Sequence, residues 1–430
     1  MVLTPESALP PTDTPAFDAA APRLTRRAGL LAVAGGAASL VAACGPLGSG
    51  LGSIGAAAPP APAPAPVPET PPPAAAPPAS PAQTIGTGPV KIGLVLPMTG
   101  PSGPTTLGPA LRNAVELASL SSGAADVTFL IKDDASTPLG ARAAAEAALA
   151  EGAECLVGPV FAGSVKEAGR VARNANAPLI GFSSDATAAS PGVYLLSLLI
   201  EGYVERVVAY AAAQGRKSLA ALAPDTEFGA VAMASLRTSA AAHGVRVMLE
   251  ERYAAGALAG AMRKVVALGA QIDGLFLGEQ PEAMGAAAQA MTGAGLTPGA
   301  LQILGVSQWN DPRVLRLPQL EGALFAGPES SGFAAMAQRY RAKYGAEPPR
   351  LAGLAYDAAS LVAALARAQG SARFAAHTLT APTGFSGVDG VFRFKADGLN
   401  ERGLAVFRVE GGQARIVAAA PRSFAPATVN

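Results

Sequence analysis

"LVGPVFAGSVKEAG", Leu156–Gly169, passes from an aliphatic run through Gly158-Pro159 into a helical stretch beginning near Gly163-Ser164. "CLVGPV" before it and "APLIGFS" after it are short apolar runs, and "GSVKEAGRVARNAN" lies between them. Two strands apolar on both faces, separated by one helix, make a parallel pair joined by a crossover. The turn leaves small residues, a hydroxyl and free backbone N–H groups at the carboxyl end of a strand, where open α/β sheets take their ligands.

The same alternation extends outward. "VKIGLVLPM" precedes the helical "TLGPALRNAVELASL". "VTFLIKDD" precedes "TPLGARAAAEAALAEG", where Thr137 can cap the helix and Pro138 suits its first turn. A second set begins at "SLAALAPD" and continues through "FGAVAMASLRTSAAAHG", "VRVMLEERY", "GAMRKVVALGA", "DGLFLGE", "PEAMGAAAQAMTGAG", "LQILGVSQW" and "EGALFAGPE". The expected fold is therefore α/β, with two doubly wound parallel-sheet lobes and a cleft between the carboxyl ends of their strands.

The 430 residues carry a formal net charge of +1, which lacks the basic footprint of a nucleic-acid binder. Two cysteines and two histidines do not supply a multi-ligand zinc site, so neither a metal nor another cofactor is expected. "RLTRRAGLLAVAGGAASLVAACG" has a basic start, an apolar run too short for a comfortable membrane span, and an end, Val41-Ala42-Ala43-Cys44-Gly45, that resembles a bacterial lipobox. Residues 1–44 are read as an export segment with Cys44 as the lipidated residue, giving a periplasmic, membrane-anchored protein. Residues 45–88 are rich in Pro, Ala, Gly and Ser and read as a solvated tether. At about 3.1 Å per residue the stretch Pro59–Pro81 reaches roughly 70 Å. Cys155, without an intrachain partner, sits in an apolar strand pattern and is expected in the core.

Enzyme readings find little support. In "GSVKE" the Ser and Lys are two apart and do not share a helix face. "GFSSD" starts like a nucleophile elbow but ends in Asp185 in place of glycine. Asp133-Asp134 is read as a strand-to-helix turn in preference to a paired-carboxylate site. Phosphate-binding glycine motifs do not follow the first strand. The protein is not expected to be an enzyme.

"IGLVLPMTGPSGPTTLGPALRNAVELA", "IKDDASTPLGARAAAEAAL", "LVGPVFAGSVKEAGRVARNANAPLIGFSSDAT", "LAYDAASLVAALA" and "GFSGVDGVFRFKADG" resemble, in that order, the leucine/isoleucine/valine-binding proteins, type I periplasmic binding proteins that serve ABC importers. "FSSD", "GVYLLSLLIEGYVERVVAY" and "WNDPRVLRLPQLEGALFAGP" resemble alphaproteobacterial lipoproteins of this fold described as penicillin-binding-protein activators. The resemblance implies one domain over 89–416 with three hinge crossings: lobe one over 89–198 and 328–384, lobe two over 199–327 and 385–416. Residues 417–430 are expected as a frayed tail.

The resemblance also implies a site. Gly163 and Ser164 at the helix start, with Ser183, Ser184 and Thr187 after the next strand, would hold a ligand's carboxylate at a helix N-terminus; alternatively, Ser164 only caps its helix. The amino-acid binders of the family grip the α-ammonium with an acid and aromatic residues. Here Phe228 stands at a usual tyrosine, Glu279 or Gln280 near a usual aromatic, Gln308 and Trp309 near the usual acid with Asp311 close by, and Leu107 where an aromatic often covers the side chain. An α-amino acid then requires Glu279 or Asp311 to reach the cleft, with Asp185 as a further candidate. Trp309 is read as either cleft wall or core. The leading expectation is a solute-binding lipoprotein delivering a small amino-acid-like ligand to an ABC permease. The alternative is an envelope lipoprotein that activates a penicillin-binding protein.

Overall fold

The computed structural model describes residues 84–122, 126–368 and 370–424. The export segment, Cys44 and nearly all of the proline-rich stretch lie outside the described residues. Thr84–Ile85 (β1) and Val90–Leu96 (β2) open the fold, followed by the small hairpin of Thr99–Gly100 (β3) and Gly103–Pro104 (β4). Leu107–Ser122 (α1), Val127–Asp133 (β5), Pro138–Ala150 (α2), Cys155–Val157 (β6), Ala162–Asn174 (α3), Leu179–Gly181 (β7) and Val193–Leu195 (β8) complete the first alternation. The strands form one sheet in the order β1-β5-β2-β6-β7-β8. All neighbours after β1 are parallel, and β1 closes one edge antiparallel to β5. Ile85 is buried there, so the end of the segment expected as tether is part of the sheet.

The second alternation runs Ile200–Ala213 (α4), Ser218–Pro224 (β9), Glu227–Ala242 (α5), Arg246–Tyr253 (β10), Leu258–Ala267 (α6), Gly274–Leu277 (β11), Met284–Gly293 (α7), Gln302–Gly305 (β12), Pro312–Leu315 (α8) and Leu324–Gly327 (β13). The chain then forms Ser331–Tyr344 (α9), Ala352–Ala368 (α10), Ala376–Leu379 (α11), Phe385–Gly387 (β14), Gly390–Phe394 (β15), Asn400–Arg402 (β16), Ala405–Glu410 (β17) and Gln413–Ala418 (β18). The second large sheet has the order β10-β9-β11-β12-β13-β17-β18, parallel through β13 and antiparallel beyond it. Among the described residues no helix is long and apolar enough to cross a membrane.

Burial separates the two lobes. One face of the first sheet packs Ile92, Leu94 and Phe129 against Leu111 of α1 and Val362 of α10. The other face packs Leu156 and Leu179 under Ala141, Ala145 and Ala148 of α2 and Val165 and Ala168 of α3. The alanines that inflate the composition are thus helix contacts that let α2 and α3 lie close. The second lobe has its own core, with Val204, Val207, Leu222, Phe276, Trp309 and Phe325. Each large apolar side chain so buried contributes about 1.5–3 kcal/mol. Cys155 is fully buried in the first core, and burial raises its thiol pKa, the condition of an inert core cysteine.

Two expectations are corrected by packing. The hairpin expected in the second lobe lies on the first: Phe392 and Phe394 are buried with Tyr194 and Met336, and the chain returns to the second sheet only at β17. The tail expected to fray from 417 is held through 424. Val417 and Ala418 belong to β18, Ala420 N donates to Glu329 Oε1, and Phe424 is buried beneath the Arg393 guanidinium.

Gly158 shows why the opening turn needs its glycine. Its φ is +87°, and a Cβ there would stand 2.0 Å from the Val95 carbonyl oxygen on neighbouring β2. Gly158→Ala is expected to cost at least about 2 kcal/mol, from a left-handed backbone plus a displaced strand. Urea denaturation monitored by circular dichroism checks this.

Candidate functional site

In the first lobe the expected carboxylate grip gathers at the carboxyl ends of β6 and β7. Helix α3 begins after Phe161, which supplies no side-chain cap. Ser164 is the third helical residue, so it does not occupy the capping position. It is 1% exposed, and its Oγ has no hydrogen-bond partner among the described residues. A buried hydroxyl without a partner costs free energy that a bound group could recover. Gly163 is exposed beside it, and a Cβ there would lie 3.1 Å from the Pro138 ring, so its smallness keeps the starts of α2 and α3 close.

After β7, Ser183 is buried and its Oγ accepts from Asp185 N at 3.1 Å. Ser184 is exposed. Asp185 accepts from Thr187 N at 2.8 Å and Thr187 Oγ1 at 2.6 Å, and Lys166 Nζ lies 3.6 Å away. The Thr187 hydroxyl, the Thr187 N–H and Lys166 hold the Asp185 carboxyl below its usual range against a smaller effect of burial. Asp185 and Thr187 therefore serve each other. Leu107 is half-buried at the start of α1, packed on the first-lobe core.

The paired acids of the sequence are turn formers. Asp133 receives Met98 N, Thr99 N, Thr99 Oγ1 and Ala135 N; burial raises its pKa, but these bonds outweigh it and lower the net value. Asp134 is fully buried. Its Oδ1 accepts from Ser136 N at 2.7 Å, its Oδ2 has no partner among the described residues, and burial pushes its pKa up to about 6.

The second lobe carries a cavity of about 890 Å³ at the carboxyl ends of β9, β10 and β11, continuing between α6 and α7. Phe228, Tyr253, Leu258 and alanines of α6 and α7 form its apolar surface, and Asp225, Glu227, Glu279, Gln280, Glu282 and Arg263 bring polar groups. All of its lining residues belong to the second lobe, so it does not join the first-lobe candidates to Phe228, Glu279 and Gln280. Tyr253, Leu258 and Arg263 were missed in the sequence. Tyr253 had a signal, as an aromatic at the carboxyl end of "VRVMLEERY".

Glu279 is 4% exposed and fully engaged. Tyr253 OH donates to its Oε1 and Gln280 N to its Oε2 at 3.1 Å. Burial, then the bond to Glu279, raise the Tyr253 pKa. Trp309 is wholly buried and donates Nε1 to the Glu279 carbonyl at 2.9 Å, so of the two readings it is core. Its ring lies so close over Gly305 that a Cβ there would be 2.3 Å away. Gln308 is exposed, and Asp311 caps α8 and pairs with Arg313. Neither lines the cavity. The Arg313 side chain and N–H hold the Asp311 carboxyl below its usual range. All three acids offered for an ammonium group, Asp185, Glu279 and Asp311, are thus bonded within the chain.

A family profile described as periplasmic binding protein matches residues 89–414. The chain belongs to this family. Membership implies a periplasmic location, and the family and its structural neighbours are solute-binding proteins. No curated protein sequence matches the chain. Among solved structures it resembles a putative branched-chain amino acid ABC transporter protein of Rhodospirillum rubrum, at 20% identity and a TM-score of 0.65, covering 76% of this chain and 99% of that one. It also resembles a Desulfitobacterium hafniense ABC transporter substrate-binding protein in complex with Leu, at 18% identity and a TM-score of 0.55, with the same coverages of 76% and 99%. A solute-binding protein of an ABC transporter from R. palustris, in complex with benzoate, matches at 19% identity and a TM-score of 0.53, covering 79% of this chain and 98% of that one. These likenesses show the type I periplasmic binding fold.

Within this periplasmic binding protein, Tyr253→Phe would strip a buried carboxylate of its hydroxyl donor. The expected loss is about 1–3 kcal/mol of stability, measured by chemical denaturation, with Phe228→Leu at the same cavity as the comparison.

Proposed function

We propose that this protein is the solute-binding component of an ABC importer and takes a small, amino-acid-sized carboxylate between its lobes. The observation that carries the reading is the buried, unpartnered Ser164 hydroxyl at the start of α3, where helix N–H groups and their partial positive charge favour an anion. The apolar body of the ligand would enter the second-lobe cavity beside Phe228 and Tyr253. Because Asp185, Glu279 and Asp311 are already bonded, an acid lacking the α-ammonium suits the site better than the amino acid itself. The neighbours bound to Leu and to benzoate span both kinds of ligand. Anchoring through Cys44 at the end of the Pro/Ala-rich tether is part of the same reading.

A second reading, activation of a penicillin-binding protein, draws support from the long tether and from that internally bonded ammonium grip. The two separate experimentally. Thermal melting is measured with matched pairs, leucine against 4-methylpentanoate and phenylalanine against 3-phenylpropanoate. Binding at one hundred times Kd stabilises by about 2.7 kcal/mol, and the des-amino member of each pair is expected to give the larger rise. Ser164→Ala is expected to lower affinity for the bound acid about tenfold while leaving the melting temperature of the free protein within a few degrees. Silence across the panel, with co-purification of a penicillin-binding protein, would replace the importer reading by the second.

A further inference from the structure

Three segments carry the chain between the two cores: 196–199 after β8, 328–330 after β13, and 403–404 after β16. A buried ionic cluster sits where they converge. Asp357 of α10 is 2% exposed, and Asp389, in the β14–β15 turn, is fully buried. Val388 N donates to Asp357 Oδ1 at 2.7 Å, and the carboxylate lies directly over Gly387, where a Cβ would be 2.3 Å from Oδ2. Arg350, ahead of α10, pairs with Asp389 Oδ1 and stacks over Phe333. Arg402 of β16 donates Nε to the Ser197 carbonyl at 2.9 Å in the first crossing, and its guanidinium lies over Phe392.

Four charged atoms of this cluster are left over. Asp357 Oδ2, Asp389 Oδ2 and both terminal nitrogens of Arg402 are buried and have no hydrogen-bond partner among the described residues. Opposite charges are buried in one region with these hydrogen bonds unmade, which is costly in a low-dielectric interior. Burial, partly offset by Arg402, the Val388 N–H and Arg350 and reinforced by Asp389, pushes the Asp357 carboxyl up to about 7. Tyr203 of α4, in the second lobe, has its pKa raised by burial against the lowering effect of the Arg402 charge. Arg402 is therefore bonded to the first crossing and acts through its charge on the second lobe.

We propose that Asp357 and Arg402 form a proton-operated lock on the hinge. With Asp357 neutral the terminal nitrogens of Arg402 stay unpartnered and the crossings are free to pivot; with Asp357 ionised the two groups bond, and Arg402, whose Nε already holds the Ser197 carbonyl, fixes the first and third crossings to α10. The sign follows from linkage. The conformation that pairs the carboxylate with the guanidinium binds one proton fewer, so rising pH favours it and falling pH releases it. The remaining charges facing Asp357, Arg350 and Asp389, already pair with each other and set the field in which it titrates.

The test uses the free full-length chain, with Cys44→Ser and spin labels on Leu139→Cys in the first lobe and Met248→Cys in the second, both exposed positions. Electron paramagnetic resonance distances are recorded from pH 5 to pH 9. The interlobe distance distribution is expected to shift with a midpoint near neutrality, and Asp357→Asn is expected to abolish the shift while the circular dichroism spectrum stays native. Arg402→Gln should also abolish it, whereas Lys343→Gln, remote from the cluster, should leave it intact. A pH-independent distance in the parent chain, or an unchanged titration in Asp357→Asn, overturns the proposal. The measurement needs no solute, so its outcome is separate from the fate of the importer reading.

Discussion

The carbonyl of Ser197 accepts two hydrogen bonds, from Asn400 Nδ2 at 2.8 Å and from Arg402 Nε at 2.9 Å. That shared acceptor ties the first crossing between the lobes to the third, and Leu195 N donating to Gly398 O at 2.8 Å adds a backbone bond beside it. Gly398 takes a φ of +90°, and a Cβ there would meet the Val193 oxygen at 2.2 Å, so the two segments approach as closely as backbones can. The second crossing is brought in by Gly332, packed on the Val388 carbonyl. Each lobe buries its own apolar core, and these polar contacts bind the crossings to one another and to the first lobe.

Polar satisfaction differs between the lobes, and the difference bears on ligand chemistry. At the strand ends of the first lobe, Ser164 Oγ and Asp134 Oδ2 are buried without partners among the described residues. At the corresponding ends of the second lobe, both oxygens of Glu279 are bonded, and Trp309 secures the backbone beneath it. Unmet hydrogen-bonding capacity in an interior is where a ligand or a rearrangement gains most. On this argument the first lobe supplies the polar recognition in the proposed function and the second supplies mainly shape and apolar area.

Much of the architecture was legible because it is encoded between near neighbours. Strand runs alternating with helical periodicity marked both parallel sheets. Thr137 and Pro138 announced the start of α2, where Thr137 Oγ1 indeed accepts from Gly140 N. Cys155 read as core from its aliphatic flanks and is core. The misreadings involved distant partners. β1 looked like tether because its strand character depends on pairing with β5, and Phe424 looked like tail because its cover comes from Arg393. Trp309 remained undecided because an indole N–H serves a wall or a core equally well until its acceptor, the Glu279 carbonyl, is located.

The order of residues by itself determined the alternation of strands and helices and the glycine turn ahead of α3, since periodicity and turn chemistry are local properties. The tertiary structure alone decided which of the candidate acids are already bonded, on which core the β14–β16 hairpin lies, and that Asp357, Asp389 and Arg402 are buried with polar atoms left unpartnered among the described residues. Burial and hydrogen-bond pairing are set by segments far apart in the chain, and only folding brings those segments into contact.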